Sequence, residues 1–164
     1  MNDKLAASLL KKAIEEKKNS YALTQALTHV KEFMTDSQKS LILLREGRLL
    51  MDSGDFKGAI DCFNEGISYN PSVTLFNMKG ACHKSLEMYN EAYFDYSYTI
   101  RLEPEVGSHY CSRGLCLAKL KKFDMAIEDL DLAVQLDPSV NHLYSRAITF
   151  ADFGKFELAI EGIC

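Results

Sequence analysis

The 164-residue sequence contains no tryptophan and only three prolines, Pro71, Pro104 and Pro138. Because proline disrupts helix interiors, a chain with so little of it can be largely helical, with each proline at a helix boundary. The sequence also lacks any run of 18 apolar residues, so we expect no membrane-spanning helix and no membrane partner. Residues 1–18 are charged and amphipathic, which argues against a secretory signal.

Neither the charges nor the cysteines indicate a specialised surface. The net charge is -4 and the lysines and arginines are scattered, so we expect no nucleic-acid partner. The cysteines are odd in number and form no CxxC motif, which favours reduced thiols and a cytoplasmic, intracellular location. The five cysteines are Cys62, Cys82, Cys111, Cys116 and Cys164.

Motifs for catalysis and for metal or cofactor binding are missing as well. The sequence has no P-loop, GxGxxG, GxSxG or HExxH motif. No cysteine has a histidine partner that would make it a nucleophile. His109 and His142 begin successive predicted repeat units, but two histidines do not make a metal site. We therefore predict no catalytic residue, cofactor or metal, and a protein that is not an enzyme.

What the sequence does contain is a repeat. The prolines are 33 and 34 residues apart, and each lies 24 residues after a glycine. An alanine follows each glycine by 12 residues. Such coincident spacings are typical of a helical repeat array. The glycines are Gly47, Gly80 and Gly114, the alanines are Ala59, Ala92 and Ala126, and a fourth unit continues with Ala147, Phe156, Ala159 and Ile163.

Each unit is predicted to fold as two helices. Apolar residues in the second helix recur at the three- and four-residue spacing of an amphipathic helix, as at Phe56, Ala59 and Ile60. Gly54 and Gly154 suit a left-handed turn between the helices. The mid-helix glycines predict a close approach of the two helices, since glycine is otherwise unfavourable there. First helices are expected near 40–53, 73–86, 107–120 and 140–153, and second helices near 56–69, 89–102, 123–136 and from 156 onward.

These spacings resemble the tetratricopeptide repeat (TPR) family over residues 40–164. That family places a small residue at position 8, alanine at 20 and proline at 32 of a 34-residue unit, and His83, Gly66 and Thr99 are modest departures from its pattern. The resemblance implies an all-α fold, a right-handed superhelical solenoid of helix-turn-helix repeats. The predicted units are 40–72, 73–106, 107–139 and a partial 140–164 that stops within its second helix, preceded at 1–39 by a helical hairpin that is either a degenerate repeat or a cap.

By the same resemblance, the first helices line a concave groove that binds a peptide or helix of another protein. The groove residues are Leu44, Arg48, Asn77, Lys84, Leu115, Lys119, Tyr144 and Ile148. Relatives that grip a chaperone's C-terminal carboxylate use lysine, asparagine and arginine at five positions. Here these positions carry Leu44, Arg48, Met78, Ser108 and Ser112, so we expect no carboxylate-clamp binding of Hsp70/Hsp90.

The sequence therefore predicts a non-enzymatic scaffold or adaptor. The alternative is a structural subunit of a larger assembly, cytoskeletal or ciliary, held by its open helical ends. Two surface features stay open. Phe94 and Tyr98 form either an exposed aromatic pair or packing against the next unit, and the acidic residues Glu128, Asp129 and Asp131 are expected to be solvated.

Overall fold

The computed structural model of the protein describes residues 33–154, and this part of the chain is built from α-helices alone. The helices alternate between first and second helices of successive units, as the proline spacing predicts. They are α1 (Asp36–Asp52), α2 (Phe56–Tyr69), α3 (Val73–Ser85), α4 (Tyr89–Leu102), α5 (Gly107–Lys119), α6 (Phe123–Leu136) and α7 (Val140–Asp152).

Every helix packs against the next one along the chain, within a unit and across the boundary between units. The first helices of neighbouring units also touch, α1 with α3 and α5 with α7. This arrangement is an all-α superhelix in which first helices lie beside one another. None of the helices within residues 33–154 has the length and hydropathy needed to span a bilayer.

Helix α1 begins earlier than the sequence pattern indicates. Thr35 accepts a hydrogen bond from the backbone N–H of Gln38, and the Gln38 side chain accepts one from the backbone N–H of Thr35. This capping box starts the helix at Asp36, four residues before the predicted boundary at 40. The predicted hairpin at 1–39 and the second helix from 156 otherwise lie outside the described residues.

The small residues at mid-helix do permit the close approach that their spacing predicts. A Cβ atom at Gly80 would lie 3.0 Å from Cζ of Tyr96, and one at Gly114 would lie 3.0 Å from Cγ of Leu130. Gly47 faces the ring of Phe63 in the same way. The matching alanine on each second helix is fully buried, so the two helices of a unit meet at these small side chains.

The turn within each unit places one residue in the left-handed backbone region. Gly54 and Gly154 adopt φ of 84° and 80°, as predicted, but Glu87 and Lys121 occupy the same place with φ of 59° and 61°. A side chain in this region costs roughly 1 kcal/mol. The turn geometry is therefore kept in all four units even where glycine is absent.

Candidate functional site

All eight predicted groove residues lie on first helices. Two are contributed by each of α1, α3, α5 and α7, in chain order. The eight residues therefore belong to the layer of first helices, in which α1 contacts α3 and α5 contacts α7. The residues are Leu44 and Arg48, Asn77 and Lys84, Leu115 and Lys119, and Tyr144 and Ile148.

The two leucines form the floor of this layer. Leu44 is half-buried and packs against a core cluster that contains Phe63 and Leu75. Leu115 is half-buried against a second cluster that contains Tyr110 and Leu130. Replacing either leucine with a charged residue would disturb the core as well as the surface, so these two positions are poor places to test binding alone.

The C-terminal end of the layer exposes the largest apolar surface among the eight residues. Tyr144 is 64% exposed and Ile148 is 40% exposed, one helical turn apart on α7. Arg48 on α1 and Lys119 on α5 are exposed as well, and Asn77 and Lys84 on α3 are half-buried. The layer thus combines apolar side chains with cations, which suits binding to an amphipathic segment.

Two buried thiols of α5 are influenced by groups on neighbouring first helices. Burial raises the pKa of the Cys111 thiol on α5, and the smaller opposing influences are a hydrogen bond with Ser145 of α7 and the charge of Lys84 of α3. The same lysine charge reaches Cys116, whose pKa burial raises to about 11. The charge of Lys84 on α3 therefore acts on two thiols of α5.

The positions of a carboxylate clamp are filled by other kinds of residue. Leu44 and Met78 both pack against the core cluster around Phe63, and neither side chain has a hydrogen-bond donor. The remaining three positions are Arg48, Ser108 and Ser112. Arg48 is the sole cation of the five, where clamp-forming relatives have several charged or amide side chains.

A buried ion pair lies between the two helices of the third unit. The Arg113 guanidinium donates two hydrogen bonds to the Asp129 carboxylate, Nε to Oδ2 and Nη2 to Oδ1, both at 2.7 Å. These bonds raise the pKa of Arg113 above its already high value. Asp129 is only 7% exposed, so the expectation that it is solvated was wrong. One face of α6 turns inward toward α5, and Asp129 lies on that face.

The second unit has a different cluster at the same place. Asp95 forms an ion pair with Lys79, with Nζ 3.0 Å from Oδ1, and His83 Nδ1 lies 2.6 Å from the other carboxylate oxygen. All three side chains are largely buried. His83, a departure from the family pattern, therefore contributes to an internal polar cluster.

The first-helix cations also contact the unit before them. Lys79 donates to Asn64 at 3.3 Å and Arg113 donates to Ser97 at 3.3 Å. Arg146 donates to Asp131 at 3.2 Å. We call these contacts and the two buried clusters the charged seam. In the sequence, the charged seam corresponds to a cation at the seventh position of three units, with aspartate 16 residues later in two of them, a signal that the predicted site did not include.

The aromatic residues of α4 divide between packing and exposure. Tyr98 stacks on Phe76, with ring centroids 3.8 Å apart, so it belongs to the packing within the second unit. Phe94 is 70% exposed and touches Tyr93 edge-on at 5.5 Å. Phe94 and Tyr98 therefore do not form a shared exposed pair.

The histidines at the starts of α5 and α7 are held separately. His109 Nε2 lies 2.9 Å from a Glu103 carboxylate oxygen, and His142 Nδ1 lies 2.8 Å from the Asp137 carbonyl oxygen. Within residues 33–154, no group of three or more histidine, cysteine, aspartate or glutamate side chains is placed to hold a metal ion.

Comparison with known proteins gives matches to repeats of one family. Two family models described as tetratricopeptide repeat match residues 42–73 and 109–140. The DnaJ homolog subfamily C member 7 homolog of Dictyostelium discoideum is 27% identical over 104 residues, which is 60% of this chain and 19% of that protein. Human RNA polymerase II-associated protein 3 is 28% identical over 105 residues, 63% of this chain and 16% of that protein. The chain thus spans about a fifth or less of these relatives.

Solved structures share the architecture over most of the chain. MamA from Desulfovibrio magneticus RS-1 superposes with a TM-score of 0.75 and 19% identity, covering 97% of this chain and 89% of that one. The first TPR of Spaghetti (RPAP3), solved with the HSP90 peptide SRMEEVD, gives a TM-score of 0.68 and 22% identity, covering 74% of this chain and 98% of that one. With the repeat spacing, the helix pairs and the two family models in agreement, this chain belongs to the tetratricopeptide repeat family.

Proposed function

We propose that this protein-interaction scaffold binds a peptide or helix of another protein along its first-helix layer, without catalysing a reaction. The observation that carries this proposal is the exposed apolar pair Tyr144 and Ile148 on α7. These side chains share the first-helix layer with the half-buried leucines Leu44 and Leu115 and with the exposed cations Arg48 and Lys119. Aromatic and aliphatic side chains in such a setting are common anchors of protein interfaces.

The five clamp positions support a more specific proposal, that the ligand is not held by its C-terminal carboxylate. A relative of this chain is Hsp70-Hsp90 organizing protein 2 of Arabidopsis thaliana, 36% identical over 63 residues, and a structural neighbour was solved with an HSP90 peptide. Those comparisons make chaperone binding the natural alternative. Leu44 and Met78 stand against it here, because neither can donate a hydrogen bond to a carboxylate.

Site-specific photo-cross-linking tests both proposals. A benzophenone amino acid at position 144 replaces one aromatic side chain with another and is expected to capture a discrete partner from native lysate. The same replacement at Phe94, which is 70% exposed on the second helix α4, is the matched control and should capture little. Ile148→Asp should abolish capture from position 144 while leaving the helical circular dichroism unchanged.

Two results would contradict these proposals. Capture at position 94 and not at position 144 would favour the structural-subunit alternative, in which other faces of the superhelix carry the contacts. The peptide SRMEEVD should not displace the captured partner. Displacement by that peptide but not by its C-terminally amidated form would show that a carboxylate clamp exists after all.

A further inference from the structure

The two central first helices carry positive charge without any acidic residue. Helix α3 (Val73–Ser85) contains two lysines and α5 (Gly107–Lys119) contains one arginine and one lysine, and neither contains aspartate or glutamate. Helix α6 on the other layer shows the opposite composition, with four acidic residues and no basic one. The charges are thus separated between the two layers of the superhelix.

Some of these cations form ion pairs within the charged seam, and others do not. Lys79 and Arg113 are paired with buried carboxylates of second helices. Within residues 33–154, no carboxylate lies within ion-pair distance of Lys84, Lys119 or Arg48. Lys84 and Lys119 lie in the last turns of their helices, where a positive charge complements the helix dipole. Their ammonium groups can form ion pairs with acidic groups of a ligand.

Among the described first helices, acidic residues lie only on the two outer ones, and α1 carries Asp36 and Glu46 besides the residue at its end. Asp52 ends α1 and Asp152 ends α7, each on the last residue of its helix. The two central helices present Lys84, Leu115 and Lys119, and α7, which contacts α5, exposes Tyr144 and Ile148. A ligand that crosses the middle therefore meets cations and apolar side chains together.

We propose that the occupant of this layer is an acidic amphipathic segment of another protein, whose internal aspartate or glutamate side chains meet Lys84 and Lys119 while its apolar side chains cover Leu115, Tyr144 and Ile148. This inference rests on the proposed function. Charge complementarity of this kind selects among partners and accelerates association. It also disfavours residues 1–32 of this chain as the occupant, since they contain six lysines and four acidic residues.

A peptide selection on the full-length chain tests the inference. A random 12-residue library is selected on the chain and counter-selected on the Tyr144→Asp/Ile148→Asp variant, so that only layer-dependent peptides remain. We expect these peptides to carry net negative charge next to apolar residues. Lys84→Glu/Lys119→Glu should lower their affinity by about tenfold or more and shift a fresh selection toward basic peptides.

Matched variants keep the result interpretable. Lys57→Glu/Lys122→Glu makes the same charge change at exposed positions on α2 and in a turn, and should leave affinity and selection unchanged. Lys84→Gln/Lys119→Gln removes the charges without reversing them and should lower the affinity by a smaller factor. Circular dichroism shows that each variant is folded before it is used.

The possible outcomes distinguish a failure of the acidic-ligand inference from a failure of the proposed binding function. Layer-dependent peptides without an acidic bias, or an acidic bias that survives Lys84→Glu/Lys119→Glu, would overturn the inference and leave the binding layer intact. Failure to enrich any layer-dependent peptide would overturn both. Binding of a synthetic peptide of residues 1–32 in preference to the acidic peptides would identify this chain's own segment as the occupant.

Discussion

The second and third units each bury an aspartate at the same place, but they pair it with different side chains. In the third unit, a single arginine holds Asp129 with two parallel hydrogen bonds of 2.7 Å. In the second unit, Asp95 is shared between a lysine and a histidine, at 3.0 and 2.6 Å. Both aspartates are buried at the same place on their second helices.

The difference lies in what remains when the aspartate is lost. Arg113 cannot lose its proton in a protein, and its planar guanidinium fits a carboxylate in a fixed orientation. Lys79 and Arg113 each keep a second partner, Asn64 and Ser97, but the flexible stem of Lys79 can carry its ammonium group toward solvent. The repeat therefore accommodates either cluster, but the stability of the third unit depends more strongly on its aspartate.

Removal of each aspartate gives the largest expected effect. Asp129→Ala leaves a half-buried, permanently charged arginine and should lower the free energy of unfolding by about 3 kcal/mol. Asp95→Ala should lower it by about 1–3 kcal/mol, the cost of unsatisfied buried polar groups. Urea denaturation followed by circular dichroism measures both values.

Two controls accompany this pair of variants. Asp131→Ala removes an aspartate that is 53% exposed in its pair with Arg146 and should cost less than about 1 kcal/mol. Arg113→Met/Asp129→Leu removes the whole ion pair and should recover most of the loss. A loss for Asp95→Ala equal to or above that for Asp129→Ala would break the comparison between the units.

Substitution of the mid-helix glycines should reveal a smaller difference in stability between the two units. A Cβ atom at Gly114 would lie 3.1 Å from the backbone oxygen of Ala126, whereas the nearest atoms at Gly80 belong to side chains of α4. Helix propensity favours alanine by about 1 kcal/mol, and overpacking costs about 1–3 kcal/mol. Gly114→Ala should therefore be less stable than Gly80→Ala by about 1 kcal/mol.

Thermal unfolding of the two glycine variants measures that difference. Ala147, which occupies this position in the fourth unit, provides the reference, since Ala147→Gly should cost about 1 kcal/mol in helix propensity. If Gly80→Ala proves less stable than Gly114→Ala, the ring of Tyr96 is the more rigid obstacle, and the ranking of the two interfaces is wrong.

The buried thiols should show the smallest difference between the units. Cys82 and Cys116 occupy equivalent positions, and burial raises the pKa of each from 9.0 to about 11. Iodoacetamide at pH 8 should modify neither in the folded protein and both in urea, as mass spectrometry of the labelled peptides would show. Faster labelling of Cys82 than of Cys116 would mean that the second unit opens first.

The same thiols give stability a defined pH dependence. The folded state keeps protons on Cys82 and Cys116 that the unfolded state releases above pH 9, so their contribution to stability falls as the pH rises from 9 toward 11. The fall should be smaller in Cys82→Ala/Cys116→Ala, and an identical fall in that variant would assign the effect to other groups.

The helices could be predicted from the sequence because each boundary carries a local cue. A proline follows each second helix, and the small residues recur at one spacing, so the ends of α2 to α7 fell within a residue of expectation. The start of α1 was missed because its cap depends on Thr35 and Gln38, outside the repeat pattern. Glu87 and Lys121 gave no cue for their left-handed turns.

The charged seam was missed for a different reason. Its partners are 12 to 16 residues apart in sequence and lie on two different helices, so their contact depends on how those helices are rotated against each other. The acidic residues of α6 were treated as one solvated set, although Asp129 and Asp131 point to different neighbours. The predicted groove residues did fall on adjacent first helices, and whether they bind a ligand stays a prediction.

Contacts from one unit to the preceding one bear on the mechanics of the array. Lys79, Arg113 and Arg146 each bond to a side chain of the unit before them. A force that stretches the superhelix must break a charge-assisted hydrogen bond at every such boundary before the units separate. These contacts between units fix the spacing of successive first helices. A segment that binds across them therefore loses little free energy in ordering the helices.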